Sequence, residues 1–242
     1  MIKIENTEVF GWEAAIRGMR NPMNSWDKSD TTIVEFPDTP RLDYCGNVVE
    51  IIPAHKRVIV VRKEQAWNGV GENDIKLMKN LSKAGSDHGK FLRMINVTMD
   101  ITCHQVWWAE FDTYKVGTVR NSCSKMHKIH VKEFVRADFS TEGIDSLDGD
   151  GDFVNDTFER VLDTLNYLRE RFNTTQDKRY WRALIELLPS GYNMRATVQL
   201  NYQVLKAMYF ARKSHKLDEW KEFCAWVETL PYFKEIVLEG LE

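Results

Sequence analysis

The residues best equipped for chemistry crowd into one stretch, residues 104–127, with the sequence HQVWWAEFDTYKVGTVRNSCSKMH. Its first third reads as the end of a buried helix. Beyond it, Thr113, Thr118, Arg120, Asn121, Ser122 and Ser124 gather around Gly117. Hydroxyls, a guanidinium and a flexible backbone together are what a phosphate or another anion requires. A plain polar surface loop has a similar composition. Cys123, between two serines, has no adjacent base to activate it as a nucleophile.

Two further constellations carry polar groups. The segment 198–213 places Gln199, Asn201, Gln203 and Arg212 among Val204, Leu205, Met208 and Tyr209. Polar groups on a helix this apolar need partners wherever they are buried. With Arg182, Arg195 and Arg120, they could form a basic pocket in an otherwise acidic protein. The loop Gly85-Ser86-Asp87-His88 joins a helix to a strand. It fits a helix C-cap with Gly85 in the left-handed region, or a cofactor contact.

Other patterns fail on spacing. Asp148, Asp150, Asp152 and Glu159 match positions of a calcium loop, but Phe153 stands where its sharp turn needs glycine. The simpler reading is a solvated loop in which Asp152 or a nearby acid caps the next helix. His127 and His130, with His104, Cys103 and Cys123, have no convincing zinc spacing, so no metal is assigned. There is no G-x-G-x-x-G, G-x-x-x-x-G-K-[ST] or G-x-S-x-G motif. A dinucleotide would therefore not be held by a Rossmann turn.

The elements that must position these groups follow from periodicity. Helices are expected over residues 8–19, 73–83, 153–172, 178–188, 198–213 and 217–230. The helix at 153–172 would present Phe153, Thr157, Val161, Leu165 and Leu168 on one side. Residues 48–52 and 57–62 read as a hairpin, and residues 91–101 as a strand. Residues 25–32 and 140–152 read as loops. Strands crowd the first half and helices the second, which gives an α+β class: an antiparallel sheet packed with a helical C-terminal half. With 242 residues, 43% of them hydrophobic, the chain can build a core as a single domain over 1–242. A net charge of −3 gives no global case for a nucleic-acid polymer or a membrane surface, although one nucleotide could sit in a locally basic pocket. No apolar run approaches the ~18 residues of a membrane span, and residues 1–18 lack a secretory pattern. Four cysteines without CxxC spacing fit free thiols in a reducing cytoplasm. Eight tryptophans and twelve phenylalanines supply a core, a pocket lining or an oligomer interface.

Two of these segments jointly resemble the flavin-dependent (alternative) thymidylate synthases. Residues 187–220, LLPSGYNMRATVQLNYQVLKAMYFARKSHKLDEW, resemble the family's C-terminal signature, with Leu188-Pro189, Asn201 and Arg212 at its spacing. Residues 104–122 resemble its defining motif, Arg-His-Arg followed at fixed spacing by Ser, Asn-Glu, Ser and Arg. Gln105 matches the preceding Gln, Thr113 and Thr118 replace the serines, and Arg120 matches the last arginine. The loop at 85–88 resembles a short loop before the family's long strand, and Glu13-Ala14-Ala15-Ile16-Arg17 resembles its N-terminal Ala-Ala-Arg. The chain departs from the motif at Trp108-Ala109-Glu110, which replace Arg-His-Arg, and at Lys115-Val116, which replace Asn-Glu. Ile185 stands in place of an arginine before the Leu-Pro, with Arg182 one turn earlier.

The resemblance implies a methyltransferase of nucleotide biosynthesis that converts dUMP to dTMP. FAD would be the cofactor, NADPH and methylenetetrahydrofolate the co-substrates, and sites would form between subunits of a homotetramer. It assigns Arg212 to charge stabilisation on the uracil, and Gln105, Thr113, Thr118, Arg120, Ser122 and Arg182 to the nucleotide. Ser86, His88, Asn201 and Gln203 would meet the flavin. Two alternatives stay open: a nucleotide-modifying enzyme with altered one-carbon chemistry, or a non-catalytic pyrimidine-nucleotide-binding homologue. Trp107 and Trp108 would either stack on a flavin or fill its space, and Glu110 would either repel its phosphates or point elsewhere.

Overall fold

The structure is a computed structural model. It describes residues 1–31, 69–148 and 151–239, and the strand backbone at 34–36, 39–42, 48–52 and 55–57. The chain opens with strand β1 (Lys3–Phe10) and helix α1 (Trp12–Arg20). The helix expected over 8–19 thus starts later, because residues 8–10 belong to the strand. Gly11 makes the break. Its φ is 95°, and a Cβ there would lie 2.0 Å from the Met94 carbonyl oxygen, so only glycine permits the turn. Helix α1 then buries Trp12, Ala15, Ile16 and Met19 at i, i+3, i+4, i+7 spacing.

Strands β2 (Val34–Phe36), β3 (Thr39–Leu42), β4 (Val48–Ile52) and β5 (His55–Arg57) form two small antiparallel pairs, β2 with β5 and β3 with β4. The hairpin expected between 48–52 and 57–62 is therefore not formed at β4, and residues 58–62 lie outside the described residues. Helix α2 (Glu72–Lys83) follows as expected. Strand β6 (Asn96–His104) starts later than the strand expected from residue 91, because Gly89–Arg93 winds into a 3₁₀ turn that buries Phe91 and Leu92. Its alternation is strict: Val97, Met99, Ile101 and Cys103 are buried.

Next come α3 (Gln105–Phe111), β7 (Val119–Ser122), α4 (Lys125–Lys128), α5 (Glu142–Asp145), α6 (Gly151–Thr175) and α7 (Lys178–Leu187). Helix α5 lies in the stretch 140–152 expected to be a loop. In α6 the buried side chains are Leu162 and Leu165, whereas Phe153 is 77% exposed, so the apolar stripe serves the core only over its later turns. Strand β8 (Asn193–Asn201), helix α8 (Tyr202–Arg212) and helix α9 (Asp218–Val227) complete the order. The helix expected over 198–213 therefore begins at Tyr202. Ala196, Val198 and Leu200 alternate inward and put residues 198–201 in a strand. The result is an α+β fold with a four-stranded antiparallel sheet of order β1-β6-β8-β7. No described helix is long and apolar enough to cross a membrane.

The chain divides into two compact units. One comprises Met1–Thr7, Met99–Gln199 and Ser214–Phe223; the other comprises Glu8–Thr98, Leu200–Lys213 and Cys224–Glu242. The first unit holds an aromatic cluster of Trp107, Trp108, Phe111, Trp220 and Phe223, and a second core of Ile129, Phe134, Phe139, Leu162, Leu165 and Leu184. In the second unit Trp12 meets Tyr202 edge-on at 5.6 Å, and the Tyr202 hydroxyl donates to the Pro231 carbonyl at 2.7 Å.

Candidate functional site

In the first unit, β6 ends at His104, which caps α3: its Nδ1 accepts from the Trp107 amide at 3.3 Å. Its Nε2 lies 3.2 Å from a Glu219 carboxylate oxygen. This anchors a helix whose inner face is aromatic. Trp107 packs on Phe111 at 5.0 Å and Trp220 at 4.8 Å between ring centroids, and is fully buried. Trp108 is 2% exposed, and its Nε1 donates to the Met194 carbonyl at 3.0 Å. Neither ring offers a free face for stacking within this chain. Glu110 also points inward: its carboxylate accepts from Trp220 Nε1 at 2.8 Å and lies 3.2 Å from His215 Nε2.

Strand β7 sets the direction of Arg120. In its register with β8, Arg120 lies opposite Val198, and opposed residues share a face. Val198 is fully buried, so Arg120 turns toward the covered side. There its guanidinium lies 3.9 Å from the Trp108 ring centroid, and Nη1 donates to Asp112 at 2.6 Å. Arg120 Nε and the Thr118 hydroxyl are both buried and have no hydrogen-bond partner among the described residues. Buried donors of this kind are few in folded proteins, and a bound anion would pair them.

The other nucleotide candidates have local partners. Gln105 donates from Nε2 to the Pro189 carbonyl at 3.2 Å, and its Oε1 accepts from Lys125. The Thr113 hydroxyl donates to the Glu110 carbonyl at 2.7 Å. Ser122 is exposed at the end of β7. Arg182 is exposed on α7 and pairs with Glu186 at 2.8 Å. Among the described residues of this unit, Arg182 and Arg195 do not join Arg120 in the expected basic pocket, because each pairs with an acid elsewhere. Arg195 lies on the opposite face of the sheet from Arg120, where it pairs with Asp100 at 2.8 Å. Asp100 also accepts from Thr197 at 2.6 Å and Asn6 at 2.7 Å, and these bonds hold its carboxyl well below the usual carboxylate range. A cleft of about 450 Å³ in the same unit is lined by His104, Ser140, Glu142, Ser190, Lys216 and Glu219 among others. None of the candidate residues lines it.

In the second unit, Asn201 caps α8, its side-chain oxygen accepting from the Val204 amide at 3.1 Å. Gly85 has φ 102° directly after the last turn of α2, and the Gly89 amide donates to its carbonyl at 2.9 Å, so the C-cap reading holds. Ser86, Asp87 and His88 are exposed beyond it. Gln203 closes on this loop: its Oε1 is 3.8 Å from where a Cβ on Gly89 would sit. Arg212 is half-buried in the last turn of α8, where a cation suits the helix dipole.

Sequence reasoning missed Asp112 and Lys206. Asp112 ends α3 eight residues before Arg120, and only the structure reveals that the chain doubles back between them. Lys206 Nζ donates to the Ser82 carbonyl at 2.6 Å, and burial lowers its pKa. Cys103 is buried, which pushes its thiol up to about 12, far from a reactive thiolate. Among the described residues no three His, Cys, Asp or Glu side chains converge to hold a metal.

No family model matches the sequence, and no curated protein matches it. Among solved structures, the chain is similar to the flavin-dependent thymidylate synthase ThyX from Helicobacter pylori complexed with FAD and dUMP. The TM-score is 0.62 at 14% identity, covering 99% of this chain and 100% of that one. A second structure of the H. pylori enzyme with FAD and dUMP gives the same TM-score and identity, covering 99% of this chain and 98% of that one. The chain has the fold of the flavin-dependent thymidylate synthases.

Proposed function

We propose that the chain is a divergent flavin-dependent thymidylate synthase-like enzyme that binds dUMP and methylates it reductively to dTMP. The observation that carries this reading is two buried donors without a hydrogen-bond partner among the described residues, Thr118 Oγ1 and Nε of the Arg120 guanidinium. Leaving a buried donor unpaired costs about 1–3 kcal/mol, and a 5′-phosphate would remove that cost with charge-assisted bonds. Gln105, Thr113, Ser122 and Arg182 belong to the same reading as outer contacts. Arg212 would stabilise negative charge developing on the uracil.

The residues fit a flavin in part. Ser86 and His88 are exposed, Gln203 reaches Gly89 at the end of their loop, and these side chains would hold FAD, with Asn201 ordering the start of α8. When bound, FAD would supply the redox chemistry, with NADPH and methylenetetrahydrofolate as co-substrates. Trp108 and Glu110 are turned inward and fit no ionic flavin contact. The reading includes residues 1–242 acting as one domain, assembled as a homotetramer in the cytoplasm.

The closed aromatic block at 107–111 favours a second reading, a non-catalytic pyrimidine-nucleotide-binding homologue. One purification separates the two. Flavin absorption near about 450 nm, with dTMP formed from dUMP, FAD, NADPH and methylenetetrahydrofolate, supports the enzyme. Colourless protein that resists FAD loading but is stabilised by dUMP establishes the binding module. A modified uridylate other than dTMP would identify altered one-carbon chemistry.

A further inference from the structure

The salt bridge that holds Arg120 has a consequence for any anion bound there. We propose that Asp112 is a built-in competitor for the anion seat at Arg120, so that a phosphorylated ligand binds by displacing this carboxylate. The inference rests on the nucleotide reading of Thr118 and Arg120.

Three observations carry it. The Asp112 carboxylate takes Nη1 at 2.6 Å, whereas among the described residues neither Nε of the same guanidinium nor the Thr118 hydroxyl has a partner. Asp112 therefore satisfies the charge of Arg120 but not its donors. A phosphate offers more acceptor oxygens than the single carboxylate contact uses, and it bonds guanidinium and hydroxyl donors alike. Next, Asp112 caps the carbonyl end of α3, where a negative charge is disfavoured. Helix formation gives no reason for an acid at this position, and among the described residues Arg120 is the cation paired with it. Finally, the two partners differ in freedom. The Arg120 side chain is 16% exposed and lies against Trp108, while the Asp112 side chain is 50% exposed. Asp112 is thus the partner free to swing away.

The test compares dUMP with deoxyuridine by calorimetric titration against the full-length protein, its Asp112→Asn and Asp112→Glu variants, and Arg120→Ala. Asp112→Asn keeps the shape, removes the competing charge and relieves the helix end. It should tighten dUMP binding by roughly fivefold, the scale of a partly exposed ion pair, and leave deoxyuridine unchanged. Asp112→Glu, which keeps the charge, should not tighten dUMP. Thermal melts of each variant establish that it is folded. If dUMP binds to the wild type and Asp112→Asn binds it equally or more weakly, Asp112 orients Arg120 rather than competing, and the proposal falls while the nucleotide reading stands. If the wild type shows no binding and Asp112→Asn does, the competition is established in its strongest form. If neither folded protein binds dUMP, both readings fall.

Discussion

At β7, Arg120 lies against Trp108 and is paired with Asp112, whereas in the loop at residues 85–88 Ser86 and His88 extend into solvent. Both places hold residues that the family resemblance assigns to ligands, yet their physical states differ. The β7 side chains are ordered by internal contacts, so a ligand must exchange partners with them. The loop side chains are not, so a ligand there would add contacts and lose only side-chain entropy. Mutations at β7 should therefore change stability and binding together, and mutations in the loop should change binding alone.

The hardest blow to this contrast falls on α3. Trp107 is fully buried among Phe111, Trp220 and Phe223. Trp107→Ala should cost about 3–5 kcal/mol of unfolding free energy, read by urea denaturation. A nearly unchanged midpoint would mean that the ring is not core and would reopen the stacking role. Arg120→Ala is next. It should weaken dUMP binding roughly ten- to hundredfold through loss of a charged hydrogen-bond partner, with little effect on deoxyuridine. Equal losses for both ligands would remove the phosphate role.

Asn201 tests the contrast from the other unit, because it already has a structural task. Asn201→Ala removes the cap and should cost about 1 kcal/mol, while Asn201→Asp keeps it. If Asn201→Asp retains full stability but loses FAD binding, Asn201 also contacts the flavin. If FAD binding follows stability in both variants, the cap is its whole role. In the loop, Ser86→Ala and His88→Ala should shift stability by less than about 0.5 kcal/mol. They should still weaken FAD retention measured by flavin fluorescence; unchanged retention would move the flavin away from the loop.

What the sequence made legible follows from how locally each feature is encoded. Helix α2 and helix α7, with Pro189 behind it, are written in contiguous periodicity and stop signals, and both were readable. Strand β8 was hidden because its period-two pattern at Ala196, Val198 and Leu200 runs straight into the helical pattern of Leu205 and Met208. Asn201 marks the switch between them as an N-cap, and that local signal was available. In the candidate site, Thr118 and Arg120 stand out as candidates by residue type and spacing. Their partners were not, because Asp112 and Trp108 reach Arg120 only after the chain folds back. The fate of Arg195 required the register of β7 with β8, which places it on the opposite face from Arg120.

That opposite face offers the smallest and most specific test. Asp100 is held by the Thr197 hydroxyl, the Arg195 guanidinium and the Asn6 amide, all of which favour its ionised form. Its folded pKa lies below its unfolded value, so its contribution to stability is complete above the unfolded pKa of about 3.9 and is lost as pH falls through the folded one. Thr197→Val deletes the largest of these influences. The Asp100 carboxyl resonance should then titrate at higher pH than in the wild type, and acid unfolding should begin slightly earlier, while dUMP affinity at neutral pH stays unchanged. A change in dUMP affinity would mean that the two faces of the sheet are coupled, and Arg120 could then no longer be treated as an anion seat separate from Arg195 and Asp100.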